Sequence, residues 1–78
     1  MDITASQRAT LIFLLAEGAH VPQGISDATN YRRETVSRGL SELESEGYVY
    51  SKGYGVWDLT EKGENKAEKL QQAGFRKP

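Results

Sequence analysis

Apolar residues recur along this chain at two different periods. Val36, Leu40 and Leu43 follow the i, i+4, i+7 spacing of one helical face, and Ile25 with Ala28 repeats it one corner earlier. These stripes predict two helices that share a core, joined by a tight turn at Asn30, a residue that tolerates left-handed backbone. The second of them runs from about residue 33 to 46. Upstream, Thr4 and Gln7 have the spacing of a capping box, with Ile3 in the staple position. A first helix is predicted from there to about Glu17, with Leu11, Ile12, Leu15 and Ala16 as its buried stripe and Gly18 as a left-handed stop. Phe13 and Leu14 lie beside that stripe, so this helix is apolar over more than one face.

After Gly47 the pattern becomes that of strands. Tyr48-Val49-Tyr50-Ser51 and Gly55-Val56-Trp57-Asp58-Leu59 read as two aromatic-rich strands, and Lys52-Gly53-Tyr54-Gly55 supplies the glycines of a hairpin tip. Ala19-His20-Val21 predicts a short third strand beside the hairpin, ended by Pro22. A last helix is expected over about 60–73, capped by Thr60, with Glu61 and Glu64 in its first turns and Gly63 permitting close packing. Phe75 to Pro78 read as a frayed tail. The fold class is α+β, mainly α: a three-helix core, a two- to three-stranded hairpin unit over about 48–59, and a C-terminal helix, in one domain spanning 1–78.

The helix over 33–46 carries the chain's most informative chemistry. At about 100° per residue, Glu34, Arg38, Ser41 and Ser45 fall opposite the apolar stripe. Arg32 and Arg33 stand at the helix start, with Thr35 and Ser37 on its flanks. A helix that enters the major groove of duplex DNA needs side chains that hydrogen-bond, short enough for close approach, and cations near its N-terminus for phosphates. This face has both.

Charge and composition narrow the alternatives. A net charge of −1 and a pI near 5.8 weigh against nucleic-acid binding by bulk electrostatics alone. Distribution matters more: residues 31–40 hold Arg32, Arg33 and Arg38 against Glu34, whereas Glu42, Glu44 and Glu46 crowd the next stretch. A compact basic patch on an acidic body suits sequence-selective binding. With no cysteine and one histidine, the chain has neither a disulfide framework nor a zinc centre, and no cofactor is expected. His20 has no nucleophile set beside it in a recognisable arrangement and reads as a strand residue, so an enzyme is not expected. The apolar run Leu11 to Ala16 is too short to span a bilayer and no basic leader precedes it, so a cytoplasmic protein without membrane association is expected.

The segment Glu34-Thr35-Val36-Ser37-Arg38-Gly39-Leu40, followed by Leu43 and Glu46-Gly47-Tyr48-Val49, resembles the "TVSRAL…L…EGLI" pattern of winged helix-turn-helix DNA-binding domains of the MarR-like type, also seen in small archaeal and phage repressors. The likeness extends from Ile25 through the hairpin to Leu59-Thr60-Glu61-Lys62-Gly63, about four fifths of the chain. Arg32 stands where the family often has a serine cap and Gly39 where alanine is usual, which predicts a helix looser at its start and middle. Tyr31 occupies the position of the apolar residue that plugs the corner.

The resemblance implies sequence-specific double-stranded DNA binding by a transcriptional regulator, with the second helix of the motif in the major groove and the hairpin as its wing. Arg38 is then a bidentate reader of guanine, an i, i+4 ion-pair partner of Glu34 or Glu42, or both, the pair orienting it before binding. Glu34 either accepts from a cytosine amino group or is a solvated partner of Arg38. Thr35, Ser37 and Ser41 face bases or nearby phosphates, Arg32 and Arg33 anchor the backbone, and Lys52 with Tyr54 extends the footprint from the wing tip. Tyr48, Tyr50, Val56 and Trp57 read as core and sheet residues. On the last helix Ala67, Leu70 and Ala73, with Phe75 beyond, suit a homodimer contact, to which the first helix also contributes, packing against the chain's own first helix, or both. A repressor is the expected role, from size. The competing function is a winged-helix protein-interaction module without DNA binding, favoured by the overall acidity and the three glutamates after Ser41.

Overall fold

The computed structural model describes residues 1–74, in the order α1 (Ala5–Glu17), α2 (Pro22–Thr29), α3 (Arg33–Ser45), β1 (Val49–Gly53), β2 (Val56–Leu59) and α4 (Glu61–Gly74). Every element contributes to one buried cluster: Leu11 and Leu14 from α1, Ile25 from α2, Val36, Leu40 and Leu43 from α3, Val49 and Leu59 from the strands, and Ala67 from α4. Ala28 is exposed, so the eight-residue α2 enters the core through Ile25 alone and not through the expected pair.

The capping box of α1 is formed in both directions, Gln7 N–H donating to Thr4 Oγ1 and Thr4 N–H to Gln7 Oε1. Thr4→Ala is expected to cost about 1 kcal/mol, the usual worth of such a cap. A circular-dichroism melt then shows a midpoint lower by roughly 4–8 °C for a domain of this size; an unchanged midpoint contradicts it. The buried face of α1 is turned from the expected one. Ser6, Gln7, Thr10, Leu11 and Leu14 are buried, whereas Ile12 and Leu15 are half-buried and Ala16 is exposed. Polar side chains can line this face because they are satisfied there: Thr10 Oγ1 donates to the Ser6 carbonyl at 2.8 Å, and Gln7 binds α3. The hydropathy stripe misses such residues.

Asn30 takes the left-handed conformation (φ 68°, ψ 17°) that turns the chain from α2 toward α3, and Tyr31 packs half-buried against the core as the corner plug. The β1–β2 hairpin pairs Val49 with Leu59, Tyr50 with Asp58 and Ser51 with Trp57, then bulges at Lys52 before Gly53 meets Val56. Its two-residue tip, Tyr54 (φ 55°) and Gly55 (φ 74°), has positive φ at both positions, the requirement of the tightest hairpin turn. The third strand is reduced to one bridge, in which His20 and Trp57 exchange both backbone hydrogen bonds (3.0 and 2.9 Å). It goes no further because Val21 already caps α2 and Pro22 opens it. Tyr48 and Trp57 pack against the core, while Tyr50 is a sheet residue of β1 paired with Asp58, its side chain exposed on the wing.

Thr60 caps α4 as expected, accepting from Gly63 N–H at 3.0 Å while its hydroxyl donates to the Gly47 carbonyl. α4 then packs on α1, where Arg8 Nη2 donates to the Leu70 carbonyl at 3.2 Å and Ala67 is fully buried. Ala67 is therefore spent within the chain and is not a dimer contact, Leu70 is half-buried, and Ala73 is exposed. The expectations for Phe75 and the tail lie outside the described residues. Among the described residues no helix is long and apolar enough to cross a membrane.

Candidate nucleic-acid interface

α3 is held by one side and open on the other. Val36, Gly39, Leu40 and Leu43 are buried, and at about 100° per residue the side chains opposite them are Glu34, Arg38, Ser41 and Ser45. All four are exposed, with Thr35 and Ser37 half-buried at the margins. Arg32 precedes the helix with extended backbone (φ −61°, ψ 146°), Arg33 opens it, and both are exposed. Arg32 gives no side-chain cap, so no cap hydroxyl or carboxylate covers the amides of the first turn, where a helix attracts anions. Gly39 lies inside the continuous α3 and is buried, and a methyl group placed there would meet Gln7 Cγ at 3.1 Å.

The two readings of Arg38 now separate. The one ion pair among the described residues is Lys52 with Asp58, at 3.8 Å, so Arg38 pairs with neither Glu34 nor Glu42. Glu42 instead accepts a hydrogen bond from Gln7 Nε2 at 2.8 Å. Lys52 sits at the hairpin bulge and leans back toward Asp58, whereas Tyr54 projects from the tip into solvent. The six α3-associated residues and Ser41 thus share one helix and its entry, while Lys52 and Tyr54 belong to a hairpin that leaves the end of α3 through Gly47.

Two groups escaped sequence reasoning. Gln7, Gly39 and Glu42 form a polar bridge between α1 and α3, hidden because Gln7 is already explained as a local cap. On α4, Lys62, Lys66 and Lys69 line a cleft of about 460 Å³ with Tyr48, Glu61 and Asn65. Their i, i+4, i+7 spacing was legible in the sequence. Lys62 Nζ lies 4.8 Å above the Tyr48 ring and donates to the Glu46 carbonyl, tying α4 to the base of the wing and not to the exposed face of α3.

Several solved structures share this fold. MepR, a transcription regulator of the Staphylococcus aureus multidrug efflux pump MepA, superposes with a TM-score of 0.78 at 27% identity over 92% of this chain and 58% of its own. The transcriptional regulator Tm0710 from Thermotoga maritima gives 0.77 at 28% identity over 90% of this chain and 53% of its own. NMB1585, a MarR family regulator from Neisseria meningitidis, gives 0.81 at 24% identity, over 94% and 56%. The chain spans little more than half the length of these structures. No curated protein sequence matches it. The HVO_A0261 N-terminal domain family matches residues 2–74. With four helices, a two-stranded antiparallel wing and this match along nearly its whole length, the chain belongs to the HVO_A0261 N-terminal domain family and has the MarR-like winged helix-turn-helix fold.

Proposed function

We propose that this chain is a DNA-binding transcription regulator, a repressor acting in the cytoplasm, whose α3 enters the major groove of duplex DNA. The observation that carries the reading is the exposed polar face of α3, with Arg38 paired to no carboxylate among the described residues, directly opposite the stripe that anchors the helix in the core. That two structures similar to it, MepR and Tm0710, are transcription regulators supports the reading. In this account Arg38 reads guanine, Glu34 and Ser41 meet neighbouring base edges, and Thr35 and Ser37 reach bases or the phosphates beside them. Arg32 and Arg33 anchor the backbone, and Lys52 with Tyr54 contacts DNA from the wing. Two copies binding as a homodimer, through α4 beyond Leu70 and parts of α1, would require a palindromic site with half-sites about one turn apart.

Exposed Glu44 and Glu46 in the last turn of α3 and its cap favour a second reading, a protein-interaction module. Salt separates the two. Binding to a duplex from the chain's own upstream region is expected to weaken steeply as salt rises, through counterion release, and Arg33→Ala is expected to lower the log–log slope by about 1. Affinity that does not change with salt contradicts DNA binding.

A further inference from the structure

The exposed arginine of α3 has carboxylates at both ion-pairing positions of its helix, Glu34 one turn before and Glu42 one turn after. Yet neither pairs with it. On the Glu42 side the carboxylate is held by Gln7 of α1. This side chain is 1% exposed, and its amide is used on both ends. Oε1 accepts from Thr4 N–H at 3.0 Å, while Nε2 donates to Glu42 Oε1 at 2.8 Å and reaches the Gly39 carbonyl at 3.4 Å. The orientation of the amide follows from chemistry: turned over, its oxygen would face the Glu42 carboxylate and its NH2 the Thr4 N–H. The capping box therefore dictates that a donor points at α3. Gly39 completes the arrangement, because a Cβ there would sit 3.1 Å from Gln7 Cγ and press on the side chain that makes the bridge.

We infer that Gln7 is a positioning residue for DNA recognition: its buried amide draws the Glu42 carboxylate onto α1 and so leaves the Arg38 guanidinium free for DNA. This rests on the proposed role of α3, and it extends the recognition apparatus to a residue 31 positions upstream that touches no base. Glycine at position 39, which breaks the alanine pattern of similar helices, is then the companion of Gln7. Its cost in helix propensity is accepted so that the amide can cross the helix.

The test is a double-mutant cycle of Gln7→Met with Glu42→Gln, read as affinity for the duplex by anisotropy and as stability by thermal melt. Gln7→Met keeps the volume and removes the donor. Released, Glu42 competes for Arg38, and DNA affinity is expected to fall about twofold to fivefold, the range of an exposed pair. In the Glu42→Gln background the same Gln7→Met change is expected to leave DNA affinity unchanged, although the melt is lowered in both. A loss of affinity equal in the two backgrounds means that Gln7 matters only for stability and overturns the inference. Should Gln7→Met fail to fold, Gly39→Ala displaces the amide while improving helix propensity, and the same dependence on Glu42 is expected. An affinity unmoved by Gly39→Ala, with Gln7 shown by its side-chain amide resonances to be displaced, overturns the inference as well. Arg38→Ala run alongside identifies where a failure lies: if wild-type binding is Arg38-dependent and the cycle shows no coupling, only the role of Gln7 is wrong. If binding is indifferent to Arg38, the DNA reading falls and this inference with it.

Discussion

Gly63→Ala is expected to destabilise the domain by about 3 kcal/mol or more, at or beyond the upper end of ordinary overpacking. Its first-turn position in α4 lies against the start of the wing so closely that a Cβ would overlap the Tyr48 carbonyl oxygen and stand 2.8 Å from its carbon. These are backbone atoms, and that carbonyl is already held by Thr60 N–H at 3.0 Å. Relief requires α4 to move off the wing base, which pulls on the Thr60 cap and on the Thr60–Gly47 bond together. The gain of about 1 kcal/mol from replacing glycine by alanine in a helix does not offset this. A thermal melt is expected to drop by at least about 12 °C, at roughly 4–8 °C per kcal/mol for a domain of this size. A melt equal to or above wild type would mean that α4 and the wing meet differently from the arrangement described.

Arg38→Ala carries the largest expected effect on function. A bidentate arginine–guanine contact is worth about 1–3 kcal/mol of discrimination, which is roughly 5-fold to 150-fold in preference for the cognate duplex over a scrambled one. Competition between the two duplexes measures it. Stability is expected to stay within about 0.5 kcal/mol, because Arg38 is exposed and has no carboxylate partner among the described residues to lose. That combination, selectivity lost and the melt unchanged, distinguishes a reader of bases from a residue that holds the helix in place. Equal discrimination by both proteins contradicts the role given to Arg38.

How much of this was legible in the sequence depends on what made each feature. α3, the corner at Asn30, the hairpin and the Thr60 cap were all legible, because each is set by local rules: a stripe at helical period, a residue tolerant of positive φ, alternating aromatic strands, a hydroxyl at a helix start. The face of α1 was not. Its buried positions include Ser6, Gln7 and Thr10, which are tolerated only because partners elsewhere satisfy them, and a hydropathy stripe cannot register a hydrogen bond across 35 residues from Gln7 to Glu42. The third strand fell short because Pro22 starts α2 immediately after Val21. That Tyr50 is the sheet residue left exposed was not legible, because two-residue alternation does not say which face of a two-stranded wing is covered. On the candidate interface, exposure of Glu34, Arg38 and Ser41 follows from helix geometry alone, whereas the hold of Gln7 on Glu42 is a tertiary contact.

The central claim, that α3 is the face presented to DNA, is tested most directly by titrating the duplex into the 15N-labelled protein and mapping the amide shifts. The account predicts that the largest changes fall on residues 33–41, with smaller ones at Lys52 to Gly55. The amides of α4 around Lys62, Lys66 and Lys69 should stay still. Changes that gather on the lysine side of α4 and spare α3, or an absence of any change at low salt, would contradict it.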